Sequence, residues 1–163
     1  MLADARERLR LAAQSGRFVS DAQLHVTLKF LGETREEDIP ALIEAMKEAA
    51  KSASPMKLQL GRMGSFGGSA GCVAYCGVAG DTGKLYALNA ALENALFARG
   101  FARDRKRFTP HFTLGRDVRG FEPLPVEPAW FYRKRYDLVP QRPWRSYAEI
   151  YAAAYAAIGQ GGQ

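Results

Sequence analysis

A four-residue pattern occurs twice in this chain and accounts for both of its histidines. His25 opens the sequence HVTL and His111 opens HFTL. Side chains alternate between the two faces of a β-strand, so the histidine and threonine of each copy share one face. The apolar residue between them, Val26 or Phe112, then points towards the core. The repeat therefore predicts two amphipathic strands, each with one imidazole beside one hydroxyl.

The segments around the two motifs are also similar in type. Helices are predicted over 3–15, over 34–52 with Thr34 and Glu37 as a capping box, and over 82–99 with Asp81 as cap. Strands are predicted over 24–32, 56–64, 72–78, 111–118, 133–139 and 145–156, with a glycine-rich turn at 64–71. We therefore expect an α+β fold of two lobes related by approximate two-fold symmetry. Antiparallel sheets with outer helices would enclose a central cleft lined by the two H-x-T-x strands, and residues 1–163 would form one domain.

Two imidazoles and two hydroxyls that face one cleft suit acid–base chemistry on a phosphodiester. One histidine can take a proton from the attacking hydroxyl or water while the other protonates the leaving oxygen, since an imidazole titrates at a pKa of about 6.5. The hydroxyls of Thr27 and Thr113 can donate hydrogen bonds to the non-bridging oxygens of the phosphate. The four motif residues are therefore candidate catalytic and phosphate-binding groups.

The charge of the chain favours an anionic partner. Its 23 Lys and Arg residues outnumber its 17 Asp and Glu residues, for a net charge of +6 and a pI near 9.5. Basic residues near the motifs that could contribute a positive field are Lys29, Arg103, Arg105, Lys106, Arg107 and Arg116.

Neither a metal site, a cofactor nor a disulfide is predicted. The two motifs contain no Asp, Glu or Cys that could complete a two-histidine metal site. Cys72 and Cys76 would lie roughly 13 Å apart on one strand, beyond disulfide reach. No apolar run approaches the roughly 20 residues of a membrane span, and the charged start MLADARERLR is unlike a signal peptide. We expect a cytoplasmic protein with no membrane association.

Three segments of the sequence resemble a known family. They are LHVTLKFLGET at 24–34, LQLGRMGSFGG at 58–68 and RFTPHFTLGR at 107–116. These segments are similar to the 2H phosphoesterases, which carry two H-x-[ST]-x motifs, and most similar to the RNA 2′,3′-cyclic phosphodiesterase branch, formerly named 2′-5′ RNA ligases. The resemblance extends over about residues 1–155.

The resemblance implies metal-independent hydrolysis of an RNA-terminal 2′,3′-cyclic phosphate to a 2′-phosphate. In this family pattern His25 would be the proton donor to the 3′ leaving oxygen and His111 the proton acceptor that activates water. Thr27 and Thr113 would bind the phosphate. Arg116 would assist them, provided that a bulge or a strand end near Gly115 allows it to share the His111 face. Candidate RNA contacts are Lys29, Arg107 and Phe112.

Members of the family usually begin with an apolar strand rich in aromatic residues, whereas this sequence starts directly at the first predicted helix. We expect the first lobe to leave a strand edge open, which favours dimerisation, and to lack some base-stacking contacts. The partners implied are RNA ends or nucleotides with a 2′,3′-cyclic phosphate, with no obligate protein partner. Two alternatives remain: a non-hydrolytic RNA-binding or 2′-5′ RNA-joining relative, and an enzyme for small cyclic nucleotides.

Overall fold

Helices and antiparallel strands alternate along the chain, which confirms the predicted α+β class. The computed structural model describes residues 1–68, 70–133, 138–140 and 148–152. The helices in these residues are α1 (Leu2–Ala12), α2 (Ile39–Lys51) and α3 (Thr82–Phe97). The strands are β1 (Ser15–Phe18), β2 (Val26–Gly32), β3 (Met56–Gly68), β4 (Gly71–Gly80), β5 (His111–Arg119), β6 (Trp130–Arg133), β7 (Leu138–Pro140) and β8 (Ala148–Ala152).

The two motif strands lie side by side in the middle of the sheet. The strand order is β6-β3-β4-β5-β2-β8-β7, and every pairing is antiparallel. β2 meets β5 through the pair Val26 and Phe112, while β1 pairs with β5 further along, at Gly115, Arg116 and Arg119. The sheet thus has two halves, one on each side of the β2–β5 junction, and that junction holds both motifs.

Leucine spacing determines how the helices cover the sheet. In α3 the residues Leu85, Leu88, Leu92 and Leu96 recur at intervals of three and four and are all buried. They belong to the same core cluster as Leu42 of α2, and the two helices contact each other. The turn that follows α3 ends at Gly100, whose φ of 87° is a left-handed conformation that glycine adopts readily.

The predicted start of α2 is wrong. A 3₁₀ turn covers Glu36–Asp38, and the α-helix begins only at Ile39, so the capping box of Thr34 and Glu37 does not form. The later start places Pro40 in the first turn, where its missing N–H costs no helical hydrogen bond. The carboxylate of Asp81 likewise makes no capping bond to α3, because it accepts hydrogen bonds from Lys57 N and Lys84 Nζ.

The glycine-rich turn predicted at 64–71 is much shorter in the structure. β3 continues through this segment, and Ser65, Phe66 and Gly67 pair with Ala74, Val73 and Cys72 of β4. Backbone pairing outweighs the low strand propensity of glycine here, and Gly67 and Gly71 supply the positive φ angles at the tip. As a result Phe66 is held in a strand instead of in a loop.

The C-terminal hairpin is present where the chain is described. β7 and β8 pair through Val139 and Tyr151, within the two strands predicted at 133–139 and 145–156, whose remaining positions lie outside the described residues. β6 was not predicted, and it pairs with β3. Cys72 and Cys76 are both free, as predicted, and burial raises the pKa of Cys76 to about 11. Over the described ranges no helix has the length and apolar character that crossing a membrane requires.

Candidate active site

The register between the motif strands pairs each histidine with the threonine of the other motif. Val26 lies opposite Phe112 in the antiparallel β2–β5 pair, and both side chains are buried. One step along this register in each direction sets His25 opposite Thr113 and Thr27 opposite His111. Side chains of directly opposed residues have Cβ atoms about 4.5–5.5 Å apart. The structure thus brings the four predicted motif residues together on the face opposite Val26 and Phe112.

The hydrogen-bonding partner of His111 determines which ring nitrogen carries its proton. Nδ1 lies 2.6 Å from the carbonyl oxygen of Thr109. A carbonyl oxygen can only accept a hydrogen bond, so Nδ1 is the donor and the lone pair of the neutral ring is on Nε2. The neutral imidazole can therefore accept a proton at Nε2.

Two aromatic rings from the β3–β4 hairpin pack around His111. The ring centroid of Phe66 lies 5.0 Å and that of Tyr75 5.3 Å from the imidazole, both in edge-to-face geometry. The two rings stack on each other at 4.3 Å. Tyr75 can lie flat across β3 because its cross-strand partner is Gly64, where a Cβ atom would come within 2.6 Å of the tyrosine ring. We call Gly64, Phe66 and Tyr75 the aromatic wall.

Burial lowers the pKa of His111 below the ordinary histidine value of 6.5. The positive charges of Arg116 and His25 lower it further, while the hydrogen bond to Thr109 acts in the opposite direction. His111 is therefore neutral near pH 7, which is the form that a general base requires.

A bulge in β5 changes the face of the strand on which Arg116 lies. Tyr75 pairs with Thr113 and Ala74 with Gly115, so Leu114 is an extra residue on β5. Leu114 and Gly115 are both buried, and alternation resumes with Arg116, which is exposed and whose positive charge lowers the pKa of His111. The bulge that Arg116 needs in order to share the His111 face is thus present next to Gly115.

A second irregularity, in β2, overturns the predicted role of Lys29. Leu28 is an extra residue between the pairs formed by Thr27 and Lys29 with β8, so strict alternation fails. Lys29 is 2% exposed and pairs with Glu93 and Asp104, so the prediction that it contacts RNA is wrong. Phe30 is 53% exposed instead.

A cleft of about 470 Å³ opens beside the motif residues. Its lining comes from β2, the β3 tip and the segment before β5, and it includes Thr27, Phe30, Phe66, Asp104, Arg105, Lys106, Arg107, Phe108, Thr109 and His111. Arg107 is exposed in this cleft, where a phosphate could reach it. Phe112 is fully buried beneath the motif face, so the prediction that it contacts RNA is wrong.

Sequence reasoning missed the aromatic wall. Phe66 stands in a run of glycines that looked like a turn, and Tyr75 stands in an apolar strand with no polar neighbour. The available signal was the alternation of glycine with larger residues in GSFGG, since a glycine in a strand often marks a site where another group approaches closely. No group of three or more His, Cys, Asp or Glu side chains suited to a metal ion occurs in the part of the chain that the structure describes.

The fold is shared with solved structures. TT0787 of Thermus thermophilus superposes with a TM-score of 0.63 at 24% identity, over 93% of this chain and 88% of that one. LigT of E. coli, in a complex with 3′-AMP, has a TM-score of 0.58 at 25% identity, over 90% and 88% of the two chains. The fold together with the paired motifs defines a 2H phosphoesterase.

The sequence comparison names the family. The profile described as the 2′-5′ RNA ligase superfamily matches residues 2–138, and the chain belongs to that superfamily. An RNA 2′,3′-cyclic phosphodiesterase of Geobacillus stearothermophilus is 32% identical over 68% of this chain and 35% of its own length. A protein of the same name from Aeropyrum pernix is 30% identical over 66% of this chain and 60% of its own length. The chain thus spans about one third of the length of the first relative and about three fifths of the length of the second.

Proposed function

We propose that this protein hydrolyses the 2′,3′-cyclic phosphate at an RNA end to a 2′-phosphate by metal-independent acid–base catalysis. The observation that carries the proposal is the β2–β5 register, which sets His25 and His111 diagonally across one face with Thr27 and Thr113 between them. Two relatives at 30% and 32% identity bear the name of this activity. We expect a cytoplasmic protein that acts on RNA ends or nucleotides and needs no obligate protein partner.

In the first part of the reaction His111 acts as general base. Its Nε2 lone pair, set by the Thr109 hydrogen bond, takes a proton from a water molecule. The resulting hydroxide oxygen forms a bond to phosphorus, and negative charge builds up on the non-bridging oxygens. Thr27, Thr113 and Arg116 stabilise that charge with their hydroxyl and guanidinium donors.

In the second part His25 acts as general acid. The bond between phosphorus and the 3′ oxygen breaks, and the imidazolium of His25 donates its proton to that oxygen. The products are a 3′ hydroxyl and a 2′-phosphate, with His25 neutral and His111 protonated, so one proton transfer through solvent restores the starting state. The opposed placement of the two imidazoles supports in-line attack and departure.

The cleft also suits a nucleoside. The exposed rings of Phe30 and Phe66 line it, and aromatic rings stack on nucleobases with little sequence preference. Basic side chains from residues 105–107 stand on the same lining. The rings support a nucleotide and the basic side chains support an RNA end as the substrate, over a small phosphodiester that has no nucleobase.

Incubation of the protein in EDTA with an oligonucleotide that ends in a 2′,3′-cyclic phosphate tests the proposal. We expect turnover, with the 2′-phosphate isomer as product by ³¹P NMR or by chromatography against both isomers. A 3′-phosphate product would contradict the roles of the two histidines, and absence of turnover would refute the proposed activity. RNA binding that survives His25→Ala and His111→Ala without hydrolysis would identify a binding protein instead, and 2′-5′ joined products would identify a ligase.

A further inference from the structure

Beyond the motif residues, the structure contains a partly buried ionic network at the side of the cleft. Lys29 Nζ lies 2.6 Å from Glu93 Oε1 and 2.9 Å from Asp104 Oδ1, and Asp104 N donates to Glu93 Oε2 at 3.3 Å. Lys29 is on β2, two residues after Thr27, while Glu93 is on α3 and Asp104 precedes β5. The network therefore connects β2, α3 and the segment that precedes β5.

Asp104 begins the most basic stretch of the cleft. Arg105, Lys106 and Arg107 follow it, all three are exposed, and all three line the cleft. None of them forms an ion pair with any residue in the described ranges, in contrast to the paired side chains of Lys29, Lys47 and Arg99. We call residues 105–107 the basic loop. Three uncommitted cations on one cleft wall are suited to a polyanion.

The basic loop is held at both ends by contacts with α3. Before it, Arg103 donates to Asn94 Oδ1 at 2.8 Å and lies over the ring of Phe97 at 4.6 Å. After it, Phe108 meets Tyr86 edge to face at 5.7 Å. The pair of Lys29 and Asp104 adds the direct link to the motif strand.

The ionic network also reduces an electrostatic conflict. A carboxylate at position 104 would repel a phosphate chain that approached the basic loop. Lys29, which Asp104 shares with Glu93, offsets part of this negative charge and, being almost fully buried, holds Asp104 at the base of the loop without reaching the ligand itself. The three basic side chains of the loop outnumber this single, partly offset carboxylate.

We propose that the ion pair of Lys29 and Asp104 is a positioning device, which holds the basic loop as a binding site for the phosphodiester backbone of the RNA chain that leads to the cyclic phosphate. This inference rests on the proposed function and extends it to the substrate class, since only a polynucleotide has such a backbone. A cyclic mononucleotide reaches the motif residues and the aromatic rings of the cleft, but it has no further backbone phosphate for the basic loop to bind. The protein therefore prefers RNA ends to small cyclic nucleotides.

Steady-state kinetics on a cyclic mononucleotide and on a matched oligonucleotide test the preference in the wild-type protein. We expect kcat/KM to be higher for the oligonucleotide and to fall with salt, with a log–log slope steeper by about 0.7 for each backbone phosphate that is bound. Lys106→Gln should raise the oligonucleotide KM and reduce that slope, while leaving the mononucleotide rate within about twofold. Lys47→Gln removes the same charge from the exposed face of α2, and it should change neither.

Asp104→Ala separates positioning from simple charge. If Asp104 acts only as a negative charge, its removal tightens RNA binding and lowers KM. If it positions the loop, the oligonucleotide KM rises by about 3- to 10-fold, kcat stays within about twofold, and the mononucleotide rate is unchanged. The variant keeps the pair of Lys29 and Glu93, so the fold is retained, which circular dichroism and the mononucleotide rate both check.

The outcomes distinguish this inference from the proposed function. If neither substrate is hydrolysed, the proposed function is overturned. Turnover of both substrates with equal kcat/KM and equal salt dependence would overturn the basic loop as a backbone site while the proposed function stands. A lower oligonucleotide KM in Asp104→Ala would refute the positioning role.

Discussion

His111 Nδ1 donates a hydrogen bond to the carbonyl oxygen of Thr109, two residues earlier in the chain, at 2.6 Å. Pro110 lies between them and is buried, which restricts the backbone that holds the carbonyl in place. The bond orients the ring and keeps the lone pair on Nε2. The neutral ring is thus oriented to accept a proton at Nε2 before any substrate binds.

Loss of either imidazole should remove acid–base catalysis. We expect His25→Ala and His111→Ala each to lower kcat by about 10²- to 10⁴-fold, because each removes one proton transfer from the transition state. The double variant should be little worse than the poorer single variant, because the pair acts as a unit. Single-turnover kinetics measures the effect, with circular dichroism as the check on folding. Activity in either single variant within about tenfold of wild type would contradict the assignment.

The acidic limb of the pH profile should lie below pH 6.5. His111 must be neutral to accept a proton, so kcat/KM falls as the pH drops through its pKa, which burial and then the charges of Arg116 and His25 hold below 6.5. Arg116→Gln should raise the pKa of His111 and so move the acidic limb of the profile to higher pH. NMR titration is simple because the chain has only two histidines. Arg119→Gln, at the far end of β5, is the matched control, and an equal shift in both variants would argue against a local effect.

Gly64→Ala should disturb the aromatic wall at little cost in stability. The new Cβ would lie 2.6 Å from the far end of the Tyr75 ring, which can swing away, so the free energy of unfolding should change by less than about 1 kcal/mol. Displacement of Tyr75 exposes His111, so its pKa should rise towards 6.5 and kcat/KM should fall about tenfold. Gly68→Ala on the same strand is the control: its new Cβ meets no atom within 4 Å, so the pKa of His111 and kcat/KM should both stay unchanged. An unaltered titration of His111 in Gly64→Ala would show that the wall does not control it.

Lys29→Met should be far more destabilising than Asp104→Ala. It leaves the carboxylate of Glu93, whose side chain is 11% exposed, without its cation, at a cost of about 3–5 kcal/mol in the free energy of unfolding. The side chain of Asp104 is 41% exposed, so water can take its place when it is removed. Asp104→Ala should therefore lower the free energy of unfolding by about 1 kcal/mol or less. Urea denaturation of the two variants measures the difference. Equal stabilities would mean that Lys29 and Glu93 contribute no more than a surface pair.

Local patterns in the sequence identified most of the elements and the core of the site. The α3 leucines and the paired H-x-T-L strands depend on periodicity within a few residues, and these predictions agree with the observed helix and strands. The start of α2 and the length of β3 were wrong because tertiary packing and strand pairing overrode local cap and glycine signals. The bulges at Leu28 and Leu114 arise from pairing with other strands, so alternation alone placed Lys29 on the wrong face.

By itself the sequence identified four candidate site residues and determined that each histidine shares a strand face with a threonine, since alternation is a property of one strand. Only the tertiary structure decided that His25 lies opposite Thr113, that Phe66 and Tyr75 enclose His111, and that Lys29 is buried against Glu93. These relationships join segments far apart in the chain. They follow from strand register and packing between elements, which depend on the whole fold and not on any single segment.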